Sequence, residues 1–260
     1  MKSGLIEAIK SVRYAAGVAN WAEVGANAWR GLETTTLRLR NGLVIASAPG
    51  ALLVPLYKEI WYRDEYGLRA DPLPPGAVVI DVGANIGMFA VYAAVAAGAS
   101  RVVAYEPFPE SFALLQRNAE GNRLSAITPR RRAVAGTAGT RALFLAGRHG
   151  TNSLFGDGGE AVQVDCLTLA DVLAGEAIER CHFLKLDCEG AEYEILLAAS
   201  ADVLARIDRI ALEYHDAKTS HTHGELRVWL EQHGFAVRTR DHVSSRSGYL
   251  FARRNHREHR

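Results

Sequence analysis

Val78-Val-Ile-Asp-Val-Gly-Ala-Asn-Ile-Gly87 decides the fold: an apolar run passes directly into a glycine-rich turn, and Met88 to Ala97 continue at helical spacing. Strand, tight turn and helix in that order open a βαβ unit. Downstream, strand signals recur at Arg101–Glu106, in an apolar stretch ending near Val134, at 140–146, at 161–165, at Phe183–Asp187, Ile207–Tyr214, Phe235–Thr239 and Gly248–Phe251. Helical signals lie at Pro109–Asn118, Ala191–Ala199 and Leu226–His233. This alternation predicts an α/β fold, a mostly parallel sheet with helices on both faces. The last two strands are too close in sequence for a crossover, which predicts an antiparallel pair at one edge.

Upstream, Asp71-Pro-Leu-Pro-Pro-Gly76 breaks the pattern and marks the join between an N-terminal extension, 1–75, and a main domain, 76–260. In the extension, Leu5, Ile9, Val12 and Ala16 recur at helical spacing, and a second helical stretch covers Trp21 to Trp29. Thr36–Arg40 and Leu43–Ala46 flank Asn41-Gly42, which predicts a β-hairpin with positive φ at both turn centres. The amphipathic start offers a face to a second copy of the chain, as in a homodimer.

With 48% hydrophobic and 23% charged residues, the 260-residue chain has the composition of a globular domain, not of a disordered tail. Thirty basic against twenty-nine acidic residues give +1, so no global field draws it to nucleic acid or to an acidic membrane. The short basic runs at Arg130–Arg132 and Arg253–Arg260 read as solvated faces, and no nucleic-acid partner is expected. Cys166, Cys181 and Cys188 are odd in number and fit no paired metal spacing, which predicts ordinary thiols in the cytoplasm. Glu7, Lys10 and Arg13 interrupt the stretch a signal peptide would need apolar, and no segment offers the ~18 apolar residues of a membrane span.

Ligands of such sheets bind beyond the carboxyl ends of the strands, so the strand-ending residues carry the function. Gly83 and Gly87 are expected to clear space for a ligand, and Asn85 stands where a dinucleotide fingerprint has its second glycine. Asp81 would repel a pyrophosphate and suits an ammonium group. Glu106 follows at the spacing that places an acid on ribose hydroxyls, with Pro107 beside it and Phe108 set to stack on a base. Amine recognition with ribose recognition describes S-adenosylmethionine better than NAD. Asp187, with Glu189 and Glu192, closes the strand Phe183–Asp187, and Glu213, His215 and Asp216 close the next, where an acceptor should sit.

At these residues the chain resembles the FkbM family of S-adenosylmethionine-dependent methyltransferases. The resemblance rests on Asp81-Val-Gly-Ala-Asn-Ile-Gly87, Tyr105-Glu-Pro107 and Lys185-Leu-Asp-Cys-Glu-Gly-Ala-Glu192, and covers roughly residues 55 to 251. It implies a class I, Rossmann-like methyltransferase fold, S-adenosylmethionine as donor, and O-methylation of a sugar or natural-product hydroxyl. Glu59, Tyr62 and Tyr66 are similar to the family's acidic and aromatic lead-in, which sets Tyr66 beside the cofactor. Asp165 and Thr168 resemble its Thr-Leu-Asp-Asp segment, with Ala170 in place of the first aspartate.

Methyl transfer to a hydroxyl needs a positioned acceptor and a home for its proton. His215 has the unperturbed pKa nearest working pH, while Asp187 or Glu189 offers a carboxylate for orientation or proton transfer. Asp187, Glu213 and His215 also belong to the ligand types of magnesium or manganese, and the sequence commits no metal. Gly150-Thr-Asn-Ser-Leu154 reads as a loop, or as a lid with Asn152 or Ser153 touching the donor. Two other readings keep the architecture: an NAD-dependent oxidoreductase, and a non-catalytic cofactor-binding scaffold.

Overall fold

Runs of residues buried on both faces, such as Val78–Val82, Arg101–Tyr105 and Phe183–Leu186, become the central parallel strands of this protein. The computed structural model describes residues 16–145, 153–155, 160–242 and 246–255. The first expected helix lies outside them apart from Ala16, and with it the face offered to a second copy. The extension comprises α1 (Trp21–Trp29), β1 (Thr36–Arg38), β2 (Val44–Ala46) and α2 (Leu53–Tyr57), which runs into a π-helical turn at Lys58–Tyr62.

The main domain follows as β3 (Val78–Val82), α3 (Met88–Val95), β4 (Arg101–Tyr105), α4 (Pro109–Gly121) and β5 (Ile127–Arg130). Then come β6 (Ala133–Val134), β7 (Gly139–Phe144), β8 (Ala161–Leu167), α5 (Leu169–Gly175), β9 (Phe183–Leu186), α6 (Ala191–Leu197) and α7 (Ala201–Ala205). The chain closes with β10 (Arg209–His215), α8 (His223–Gln232), β11 (Phe235–Asp241) and β12 (Ser247–Arg254).

Seven strands form one sheet in the order β11-β12-β10-β9-β3-β4-β5, with β12 antiparallel to both neighbours and the rest parallel. The expected antiparallel pair exists, but β12 is inserted next to β10 and only β11 is an edge. The segments 140–146 and 161–165 leave this sheet and pair as β7 and β8 in a separate three-stranded one with β6. Their composition explains it: β8 buries only alternate residues, Val164 and Cys166, whereas β9 buries all four. One apolar cluster packs α6 and α8 onto the sheet through Tyr193, Leu196 and Leu226; the other packs α3 and α4 through Phe89 and Leu115.

That second cluster continues into the extension through Leu37, Ile45, Leu53 and Ile60, so the apolar core crosses the proline-rich join. Asn118 on α4 also ties it down: its side chain accepts from Ala46 N (2.8 Å) and donates to Ala46 O (2.9 Å) and Ile86 O (2.8 Å). The amide covers the open edge of β2, which would otherwise present unpaired backbone groups. At the join, Arg209 Nη1 sits 3.0 Å and Arg253 Nη1 2.6 Å from Asp71 Oδ2. The hairpin differs from expectation. Beyond the Arg38–Val44 pair, Leu39 N donates to Leu43 O at 2.7 Å, leaving a three-residue connection in which only Gly42 (φ +90°) has positive φ, the geometry of a turn followed by a bulge.

Thr168 and Asp171 form a reciprocal cap at the start of α5: Asp171 N donates to Thr168 Oγ1 (3.2 Å), and Thr168 N to Asp171 Oδ2 (2.9 Å). The segment resembling Thr-Leu-Asp-Asp is thus a helix start, and Asp165 is exposed on β8. No helix among the described residues is long and apolar enough to cross a membrane.

Candidate active site

The turn after β3 is pressed against the chain's own backbone. Gly83 and Ala84 both donate to Tyr105 O at 3.0 Å, and a Cβ on Gly83, whose φ is +72°, would lie 1.8 Å from Asp187 O. At Gly87 (φ +84°) a Cβ would meet Leu115 Cδ1 at 2.6 Å. Gly87 borders neither cavity described below and its bare side is filled by Leu115, which corrects the expectation for that residue, whereas Gly83 keeps its backbone on the wall of both while its Cβ position is filled by Asp187. Gly83→Ala is expected to cost ~2–4 kcal/mol, because neither carbonyl nor turn can retreat. Urea unfolding measures it. Gly87→Ala should cost less, since the tip of Leu115 can rotate away.

The turn then delivers Asn85. Its N–H donates to Glu106 Oε2 at 2.8 Å, and Phe108 N donates to Glu106 Oε1 at 2.9 Å. Each carboxylate oxygen keeps a second lone pair for an incoming hydroxyl. Glu106 is buried on the wall of a cleft of about 660 Å³ that also exposes Asn85, Pro107, Arg132 and Asp187. Burial pushes its carboxyl up to about 7, although both backbone N–H bonds pull it down. Asn85 Oδ1 is buried without a donor, as an acceptor reserved for a ligand would be.

Several expected cofactor contacts are placed otherwise. Asp81 is wholly buried, its Oδ1 3.1 Å from Lys185 Nζ, and it borders neither this cleft nor the cavity beside it. Lys185 also donates to Gly83 O at 2.8 Å. Burial favours the neutral amine, but Asp81 and Asp187 outweigh it and raise the lysine's pKa. Asp81 is therefore spent on an internal cation, not offered to a ligand ammonium. Phe108 packs its ring on the core beside the cleft and offers Glu106 only its N–H. Ser153 Oγ donates to Glu189 O at 2.7 Å and accepts from Phe155 N at 3.1 Å, and Leu154 lines the cleft in its place. Asn152 lies outside the described residues.

A second cavity of about 440 Å³ adjoins the first and shares Gly83, Asn85 and Asp187 with it. Tyr66 belongs here, not in the Glu106 cleft, and its hydroxyl donates to Asp187 Oδ2 at 3.0 Å. Glu59, Glu213 and Tyr249 complete the polar wall. Burial raises the Glu213 carboxyl, Asp187 raises it further, and His215 partly offsets them. Burial and then Asp187 likewise raise Glu59. Glu59 rides on the π-helical turn Lys58–Tyr62, an irregularity often found where a helix must aim a functional side chain.

His215 borders neither cavity. Its Nδ1 faces Glu192 Oε1 at 3.5 Å, and its Nε2 faces Glu189 Oε2 at 3.6 Å and Glu213 Oε1 at 3.9 Å. Burial disfavours the charged ring, yet Glu192, with Asp187 and Glu189, carries its pKa up to about 9. A ring already charged at neutral pH is no proton acceptor, which corrects the expectation drawn from the unperturbed value. Glu189 lines the first cleft and is ion-paired to Lys218. Glu192, fully buried, accepts from Cys188 N (2.7 Å) and Gly190 N (2.8 Å), a structural duty at the start of α6. Asp216 leaves the rim to bind Tyr193 Oη and His223 Nδ1.

A family model described as the methyltransferase FkbM domain matches residues 81–237. The chain is 32% identical over 234 residues to the 31-O-demethyl-FK506 methyltransferase FkbM of Streptomyces tacrolimicus, covering 78% of this chain and 89% of that protein. Methyltransferase 1 of Beauveria bassiana is 29% identical over 226 residues, covering 77% and 89%. Among solved structures, the methyltransferase FkbM of Methylobacillus flagellatus KT aligns at a TM-score of 0.51 and 16% identity, over 75% of this chain and 47% of that one, a likeness of fold.

Proposed function

Because the chain belongs to the FkbM methyltransferase family, we propose that it transfers the methyl group of S-adenosylmethionine to a hydroxyl of a small molecule. The observation that carries this reading is the pair of adjoining cavities, one walled by the ribose-type acceptor Glu106 and the other by carboxylates and tyrosines, meeting at Gly83, Asn85 and Asp187. The sulfonium supplies an electrophilic methyl, and the protein's task is to aim an oxygen at it and exclude water. Glu106 and Asn85 hold the adenosyl end. Asp187 and Glu213 orient the acceptor's hydroxyl. Glu59, lining the same cavity, takes the proton as the oxygen–carbon bond forms and the sulfur leaves as a neutral thioether.

The name of the Streptomyces relative, a methyltransferase of 31-O-demethyl-FK506, supports oxygen as the acceptor atom. A dinucleotide suits the first cleft less well, because Asn85 fills the position where the fingerprint needs a bare glycine. Calorimetric titration with S-adenosylhomocysteine is the test, and roughly micromolar binding is expected. No heat at millimolar ligand would overturn the proposal, and binding without turnover on any hydroxylated small molecule would favour a scaffold.

A further inference from the structure

We propose that Asp187, Glu213 and His215 form a divalent-cation site of the magnesium or manganese class behind the acceptor-cavity wall that Asp187 and Glu213 build. One ligand atom from each lies within 4.8 Å of the others. Neighbouring oxygens of an octahedral ion stand ~3 Å apart and opposite ones ~4.2 Å, so the three need to close by less than about an ångström or two. They come from separate places: Asp187 just beyond the end of β9, Glu213 and His215 two residues apart on β10, so their side chains leave the strand on the same side.

The surroundings separate this group from an ordinary acidic patch. Behind the imidazole, Glu192 Oε1 faces Nδ1 at 3.5 Å, and Glu192 is fully buried and fixed by the N–H groups of Cys188 and Gly190. A carboxylate behind one ring nitrogen is how proteins orient a histidine that ligates through the other. Tyr66 donates to Asp187 Oδ2, leaving Oδ1 for an ion. Glu59, Asp187, Glu189, Glu192 and Glu213 gather here, while Lys185 is engaged by Asp81 and Lys218 by Glu189. Among the described residues the charged His215 ring is the counter-ion left to this group, and a dication bound through Nε2 would take the place of its proton, which leaves to solvent. Oxygen ligands with one imidazole select the hard divalent ions. Asp187 and Glu213 line the acceptor cavity, so the remaining coordination positions face the acceptor's hydroxyl oxygen, a role that rests on the methyl-transfer reading above.

The test is titration of Mn²⁺ alone into the full chain, followed by loss of the free-ion electron paramagnetic resonance signal. One ion per chain is expected, with affinity falling at least ~10–100-fold in Glu213→Gln and Asp187→Asn and about tenfold in Glu192→Gln. Asp202→Asn, at an exposed position on α7 that lines neither cavity, should bind like the parent. S-adenosylhomocysteine calorimetry on Glu213→Gln and Glu192→Gln reports whether those chains are folded, since both residues lie outside the Glu106 cleft. No Mn²⁺ binding at millimolar concentration, or affinity unchanged in the folded variants, would overturn the site. A chain that holds Mn²⁺ at these residues but binds no S-adenosylhomocysteine would support the ion site and count against the cofactor reading.

Discussion

Glu106→Ala is expected to weaken S-adenosylhomocysteine binding by at least ~100-fold while leaving acceptor binding within about threefold. Two ribose hydroxyls donating to a buried carboxylate are charge-assisted bonds worth ~1.5–3 kcal/mol each, and losing both accounts for the drop. The substitution also strips Asn85 N and Phe108 N of their acceptor, so the turn that carries Asn85 loses its anchor on β4. Glu106 borders the first cleft and not the second, which is why the two ligands should part company. Calorimetry with each ligand separately is the measurement, and equal losses would remove the ribose assignment.

The same residue sets a pH dependence. Its carboxyl titrates near 7 in the folded chain against 4.5 when unperturbed. In the cofactor-free protein the raised pKa contributes stability that is complete below about 4.5 and lost as pH rises through about 7. Binding runs the other way, because the ribose hydroxyls need the ionised form. S-adenosylhomocysteine affinity should fall by up to about thirtyfold between pH 8.5 and 5.5, and Glu106→Ala should flatten that profile.

The ends of β3, β4 and β9 were legible because each joins a short apolar run to an acid at a turn, a pattern local in sequence. What those acids face is not local. Asp81 pairs across the sheet with Lys185, its direct register partner on β9, so a residue read as a ligand contact is the counter-ion of a buried lysine. His215 misleads for the same reason: its proton affinity is raised by carboxylates from α6 and from the β9–α6 turn, which spacing alone does not bring together. The β7–β8 strands do not fit a sheet covered on both faces, since β8 buries only alternate residues and β7 only Leu143. Glu59 left no periodic mark, because a π-helical turn shifts the side chains away from the spacing of an α-helix.

Glu59→Gln is the second large effect expected: kcat lower by ~10²–10⁴, with S-adenosylhomocysteine affinity within about twofold and the acceptor's KM within a few-fold. Glutamine keeps the volume and one oxygen of the side chain, so the cavity retains its shape while the proton acceptor is gone. Among the cavity's carboxylates, Asp187 already accepts from Tyr66 and lies 3.8 Å from Lys185, and Glu213 lies 3.9 Å from His215. At Glu59, burial and then Asp187 raise the carboxyl's pKa and Arg63 only partly offsets them, which makes it a better proton acceptor than an ordinary carboxylate. Single-turnover kinetics with saturating donor separates this loss from product release. If Glu59→Gln keeps the parent rate while Glu213→Gln loses it, the proton leaves toward β10, and the hydroxyl must approach the methyl from the opposite wall of the cavity.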